Sequence, residues 1–228
     1  MSDVMPDEMP DQTPVRIDVV SDVVCPWCFI GKHRLEQAIA LKPDIPVEVH
    51  WHPYYLNDWI PLEGISRNEY LTTKFGSPER YKDIAQRVAQ AAAAEGLVYA
   101  IDKINRQPNT RDAHRLIRWA DSLGCAAEMK QKLMDLYFTD GADLSDREVL
   151  VQAAVSVGFN EDNVREALAS DMDIAEIAEQ VQSAKEAGIQ GVPCFIFGGK
   201  FAVSGAQAPD YLAEAIERAA QANREAAE

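Results

Sequence analysis

The apolar positions of this chain run at strand spacing, then at helical spacing for most of its length, then at strand spacing again. Residues 15–22 carry Val15, Ile17, Val19 and Val20 in a nearly continuous apolar run, which predicts a strand buried on both faces. Phe29, Ile30, Leu35, Ala38 and Ile39 then form a helical stripe over 26–41, stopped by Pro43. The alternating run from Pro46 to His52 predicts a second strand, so the opening reads as a βαβ unit with parallel strands. From about 66 to 185 the pattern is helical almost throughout. Ser66 with Glu69 matches a capping box, and Ser77 opens a helix that Gly96 closes. Asn109 or Thr110 caps the next helix, which Gly124 stops, and further helices are predicted at about 126–138, 146–156, 161–169 and 171–187. After a break at 188–191, Pro193 to Phe197 predicts a strand. Gly198-Gly199 makes a tight turn into Phe201 to Ser204, and a last helix covers about 208–222.

Strands at both ends and helices between them predict an α/β unit interrupted by a helical insertion. The expected division is a tail at 1–13, an α/β domain from 14–62 and 186–228, and the insertion at 63–185. With 228 residues, 47% of them hydrophobic, the chain can bury a substantial core. Lys and Arg number 22 against 37 Asp and Glu, a net charge of −15. That balance argues against nucleic acid or an anionic membrane surface as a partner, since both demand clustered positive charge. No apolar stretch reaches the length of a membrane-spanning helix. Met1 to Thr13 is acidic, carries Pro6 and Pro10, and lacks the basic start and apolar segment of a secretory signal. It reads as a disordered tail on a cytoplasmic protein.

The chemistry concentrates at Cys25-Pro26-Trp27-Cys28, placed where the first strand delivers the chain to a helix. A thiol at a helix N-terminus meets unpaired N–H groups and a positive dipole end, which favour the nucleophilic thiolate. Pro26 suits the first helical turn, and Trp27 supplies apolar cover. The chain has four cysteines, at 25, 28, 125 and 194, too few and too uneven for a disulfide scaffold. A structural zinc site commonly needs a second pair of ligands, and no second Cys-x-x-Cys exists. Redox work is therefore preferred over metal binding.

The element order, the Cys-Pro-Trp-Cys motif and two further stretches, Asn109 to Leu116 and Gly188 to Pro193, resemble the DsbA-like thioredoxin-fold oxidoreductases with a helical insertion. Within them the chain looks most like the FrnE-type dithiol–disulfide oxidoreductase branch, over about residues 15–220. The resemblance implies a thioredoxin fold, βαβ then ββα, around an all-helical insertion. It implies Cys25 as the more exposed, attacking thiol and Cys28 as the resolving one. It also implies a cis peptide bond at Val192–Pro193, with Pro193 shaping the substrate groove and Val192 offering backbone groups to an extended substrate. Pro26, Trp27 and His114 complete the expected substrate-binding set.

Other readings stay open at this level. Cys194, directly after that proline, is either a small buried strand residue or a third thiol near the pair. His114 could line the cleft or merely pack a helix. His33 is expected to face solvent with Lys32 and Arg34, and His50 and His52 to be structural. Trp51, Tyr54, Tyr55 and Trp59 are expected at the seam between the subdomains, a favoured place for ligands. The leading function is a thiol–disulfide oxidoreductase or isomerase acting on a protein or small molecule. No resident cofactor or metal is expected, glutathione is allowed as a co-substrate, and a homodimer is allowed. The rivals are a glutathione-dependent kappa-like transferase or 2-hydroxychromene-2-carboxylate isomerase-like enzyme, against which Cys28 argues, and a metal-binding or chaperone-like module.

Overall fold

A computed structural model describes residues 13–227; the expected tail at 1–13 falls, except for Thr13, outside them. Strand β1 (Val15–Ser21) pairs in parallel with β2 (Val47–Pro53), and α1 (Pro26–Ala40) makes the crossover between them. The antiparallel hairpin of β5 (Cys194–Phe197) and β6 (Phe201–Ser204) adds to the other side of β1, giving the order β2-β1-β5-β6. Gly198 and Gly199 both take positive φ in the hairpin turn, a conformation that a side chain would strain. The closing helix α9 (Pro209–Ala227) packs beside α1 on one face of the sheet. There Val15, Ile17 and Val19 meet Phe195, Phe197, Leu35, Leu212 and Ile216 in a buried core. The thioredoxin fold read from the sequence is the fold observed.

Between β2 and β5 the chain builds α2 (Arg67–Phe75), α3 (Pro78–Ala94), α4 (Arg111–Asp121), α5 (Ala126–Asp135), α6 (Arg147–Ser156), α7 (Glu161–Ala169) and α8 (Ile174–Glu186). Ser66 accepts from the Glu69 N–H at 3.1 Å, and Ser77, Asp146 and Asn160 cap α3, α6 and α7 in the same way. Two details carried no pattern. A two-residue ladder joins β3 (Ile65–Ser66) to β4 (Arg106–Gln107), too short to show alternation. The helix expected over 126–138 ends at Asp135 and widens into a π turn, Leu136–Asp140.

Two expectations need correction. Strand β1 is buried on both faces only near its C-terminal end. Arg16 is exposed and pairs with Asp18 at 2.7 Å, while Val20 packs with Ala184 of α8. Lys32 does not face solvent; it is buried on α1, four residues after Cys28, and pairs with Glu36. Trp59 is exposed but stacks on Tyr70 of α2, across the expected division, and Trp51 touches the cores of both sheet and insertion. Arg115 is a further surprise, fully buried on α4. Its guanidinium donates to the carbonyls of Ala167 (2.6 Å), Ser170 (2.9 Å) and Met172 (2.7 Å), tying down the link between α7 and α8. An unpartnered charge could not stay at that depth.

Candidate active site

β1 ends at Ser21, and a short turn leads to Cys25, the N-cap of α1, with Pro26 in the first helical turn. The Cys25 carbonyl accepts from the N–H of Cys28 at 2.9 Å and of Phe29 at 3.1 Å, so its sulfur stands at the positive end of a 15-residue helix. Across from it, the Val192–Pro193 peptide is cis, as the resemblance implies, and the Cys25 thiol donates to the Val192 carbonyl at 3.5 Å. Gly31, one turn beyond Cys28, permits this approach. A Cβ there would lie 2.9 Å from the Pro193 ring and 3.3 Å from Phe195.

Cys25 and Cys28 are both free thiols, 3% and 2% exposed. The expected difference in exposure is therefore absent, because both sulfurs lie in one apolar cluster with Val24 and Phe29, and Val192 packs on it. Acidity is what separates them. A hydrogen bond from Cys28 holds the Cys25 thiol below the ordinary cysteine range, against burial and the charge of Asp22. Burial first, then the adjacent Cys25 sulfur, push Cys28 well above that range.

Behind the pair lies a group of charges that the residue pattern did not single out. The buried Asp22 carboxylate accepts from the Leu56 N–H at 2.8 Å and stands 3.3 Å from His114 Nε2. Lys130 of α5 is 1% exposed. Burial brings its pKa down to about 8, although Cys28 and Asp22 favour its charge. The Lys130 and Lys32 ammonium groups sit 5.1 and 5.9 Å from the Trp51 ring. A signal for Lys130 did exist: it interrupts the apolar stripe of Ala126, Met129, Leu133 and Met134.

In front of the pair is a cavity of about 230 Å³ between the thioredoxin-like part and the insertion. Cys25, Pro26, Trp27 and Val192 form one wall; Arg67, Lys74 and a set of aromatic rings from the insertion form the other. Of the expected substrate-binding residues, Pro193 turns its ring toward Gly31 rather than into this cavity, and His114 is not here either. It lines a separate cavity of about 110 Å³ with Trp51, His52 and Lys130, behind the thiols, because α4 packs it onto Asp22. Cys194 is buried beside Val20 and faces α8, while Pro193 and Phe195 turn toward Gly31, so Cys194 is the small strand residue. His52 pairs with Asp18 at 2.7 Å and His50 with Glu48 at 3.2 Å. Among the described residues no three or more His, Cys, Asp or Glu side chains are grouped to share a metal ion.

The model of the DsbA-like thioredoxin domain matches residues 16–217. The chain belongs to the DsbA-like thioredoxin family. A crystal structure of a probable DsbA oxidoreductase from Streptomyces coelicolor superposes with a TM-score of 0.82 at 31% identity, over 90% of this chain and 89% of that one. An uncharacterized protein of Bacillus subtilis, YwbO, is 27% identical over 198 residues, 86% of this chain and 92% of that protein. At the level of fold alone, a 2-hydroxychromene-2-carboxylate isomerase superposes with a TM-score of 0.69 at 15% identity, over 92% and 98% of the two chains. This DsbA-like protein thus sits in a family whose fold also carries chemistry other than disulfide exchange. Among its described residues no helix is long and apolar enough to cross a membrane.

Proposed function

We propose that this protein is a thiol–disulfide oxidoreductase in which Cys25 attacks and Cys28 resolves. The observation that carries the reading is placement: Cys25 caps α1, reaches the Val192 carbonyl at 3.5 Å and borders the front cavity, whereas Cys28 sits one turn further into the helix and does not line it. Cys25, at the helix N-terminus, enters the thiolate state first and attacks one sulfur of a substrate disulfide. The substrate S–S bond breaks, one half leaves as a thiolate, and the other half stays bonded to Cys25. Cys28 then loses its proton and attacks the Cys25 sulfur, closing the internal disulfide and releasing the second half. Two electrons pass from the dithiol to the substrate, and the reverse direction runs the same steps backwards. Val192 and Pro193 would align the substrate beside Cys25.

The isomerase-like alternative is favoured by the shared fold but leaves Cys28 without a task. A titration of the pair in glutathione redox buffers, followed by tryptophan fluorescence, tests the reading, since Trp27 stands beside Cys25 and is 39% exposed. A reversible two-electron transition that vanishes in Cys28→Ser is the expected result. A protein that never forms the internal disulfide sinks it.

A further inference from the structure

The cavity in front of Cys25 has a chemistry opposed to the rest of the molecule. The chain is strongly acidic at −15, yet this cavity is bordered by two cations, Arg67 and Lys74, both from α2. Their side-chain partners are amides. Arg67 donates to Gln107 Oε1 at 2.7 Å and Lys74 to Asn57 Oδ1 at 2.5 Å. Among the described residues neither has a carboxylate within ion-pair distance, although most arginines in the molecule do. The Arg67 guanidinium lies 5.1 Å over the Tyr70 ring and 5.3 Å over the Tyr81 ring, which hold it in place without neutralising it. Gln107 Oε1 also accepts from the buried Tyr137 hydroxyl at 2.9 Å, fixing the amide that holds Arg67. The Cys25 and Asp22 charges favour the ammonium of Lys74, opposing the lowering by burial, which places that cation within electrostatic reach of the attacking sulfur.

The remaining surface is apolar and aromatic, with Tyr99, Tyr137 and Phe138 beside the cations. At about 230 Å³ the space falls short of the roughly 300–1,000 Å³ that takes a drug-sized ligand. It admits one ring with its substituents, not a loop of folded protein. Two unneutralised cations, aromatic walls and a nucleophilic sulfur define one kind of guest.

We propose that this cavity binds one half of a small acidic disulfide, its ring or apolar body against the tyrosines and its anionic group on Arg67 and Lys74. The proposal rests on the exchange chemistry above. In it, Cys25 takes one half of the guest into a mixed disulfide, the other half leaves as a thiolate, and Cys28 releases the bound half as the second thiolate. Arg67 and Lys74 discriminate between guests and take no part in the electron transfer.

The test is a single-turnover oxidation of the reduced protein by three probes. These are 5,5′-dithiobis(2-nitrobenzoate), aromatic and acidic; 4,4′-dithiodipyridine, aromatic and neutral; and cystamine, aliphatic and cationic. Each rate is divided by that of a free small thiol with the same probe, after subtracting the Cys25→Ser protein. The expected order is acidic, then neutral, then cationic, against the net charge of the chain. In Lys74→Gln, and more in Arg67→Gln with Lys74→Gln, the acidic-to-neutral rate ratio falls, about tenfold for the pair, the worth of a charge-assisted contact. Lys74→Gln alone, at the rim, keeps the test usable where the double variant folds poorly. An unchanged ratio overturns the proposal, as does an unfolded disulfide-bonded protein oxidising Cys25 faster than every probe. If instead Cys25→Ser loses none of the reactivity, the exchange reading itself has failed, a separate outcome.

Discussion

The two sulfurs share one turn of α1 but face differently furnished surroundings. Cys25 looks onto the Val192 carbonyl and a ring-lined cavity bordered by cations. Cys28 backs onto Lys130 and, through the turn before α1, Asp22. The front is arranged to admit a guest, the back to change the charge state of a thiol that water cannot reach. Burial alone would lower both acidities alike; the split arises because one thiol donates to the other and only one of them caps the helix. In both directions the decisive side chains come largely from the helical insertion, so the insertion equips a thioredoxin-like frame for its particular task.

Removing the cation behind the pair breaks this contrast most. Burial moves the Lys130 pKa from 10.5 to about 8, so between those values the unfolded chain binds more protons and stability climbs with pH. Below about pH 8 the full cost of charging stands, about 3 kcal/mol at ~1.4 kcal/mol per unit. Lys130→Met should therefore stabilise the reduced protein by about that amount at neutral pH and abolish the climb, as read by thermal melts between neutral and alkaline pH. The same variant leaves Cys28 harder to ionise. Its mixed disulfides on Cys25 should resolve about tenfold more slowly in quenched-flow mass spectrometry, the effect of about one unit of acidity.

Gly31→Ala attacks the front instead. A Cβ set 2.9 Å from the Pro193 ring must displace it, at about 1–3 kcal/mol for an overpacked contact. Urea unfolding should show that loss, and the Cys25 thiolate should form at lower pH as the Val192 carbonyl that holds the thiol proton moves away. The smallest effect sharpens the comparison. Asp22→Asn keeps an acceptor for Leu56 but removes a charge that raises the Cys25 pKa. Thiolate absorbance should then appear at lower pH, with a change in attack rate of only severalfold.

Much of this frame was legible in the residues. The strand-to-helix position of Cys25, the hairpin glycines and the caps at Ser66, Ser77, Asp146 and Asn160 are local signals, each carried by residues that touch within a turn or two. What escaped is non-local. Arg67 and Lys74 carry no local signal of a site; only folding sets α2 beside Cys25. His114 resembled a cleft residue, yet its distance from the front cavity is fixed by how α4 docks on Asp22. Lys32 looked solvated because its neighbours are charged, while the Trp51 ring that accompanies it lies on β2.

The π turn after α5 gives the cavity an unusual kind of adjustability. Tyr137 and Phe138 are adjacent in the chain, and both line the same wall because Leu136–Asp140 winds more widely than an α-helix. Their shared direction is a matter of phase rather than of side-chain identity. Losing a single residue from this turn would rewind it and rotate one ring off the wall, while the elements on either side kept their own sequences. Guest preference in such a chain is therefore open to change by insertion and deletion as well as by substitution, a route along which relatives of similar fold can diverge without disturbing the thiols.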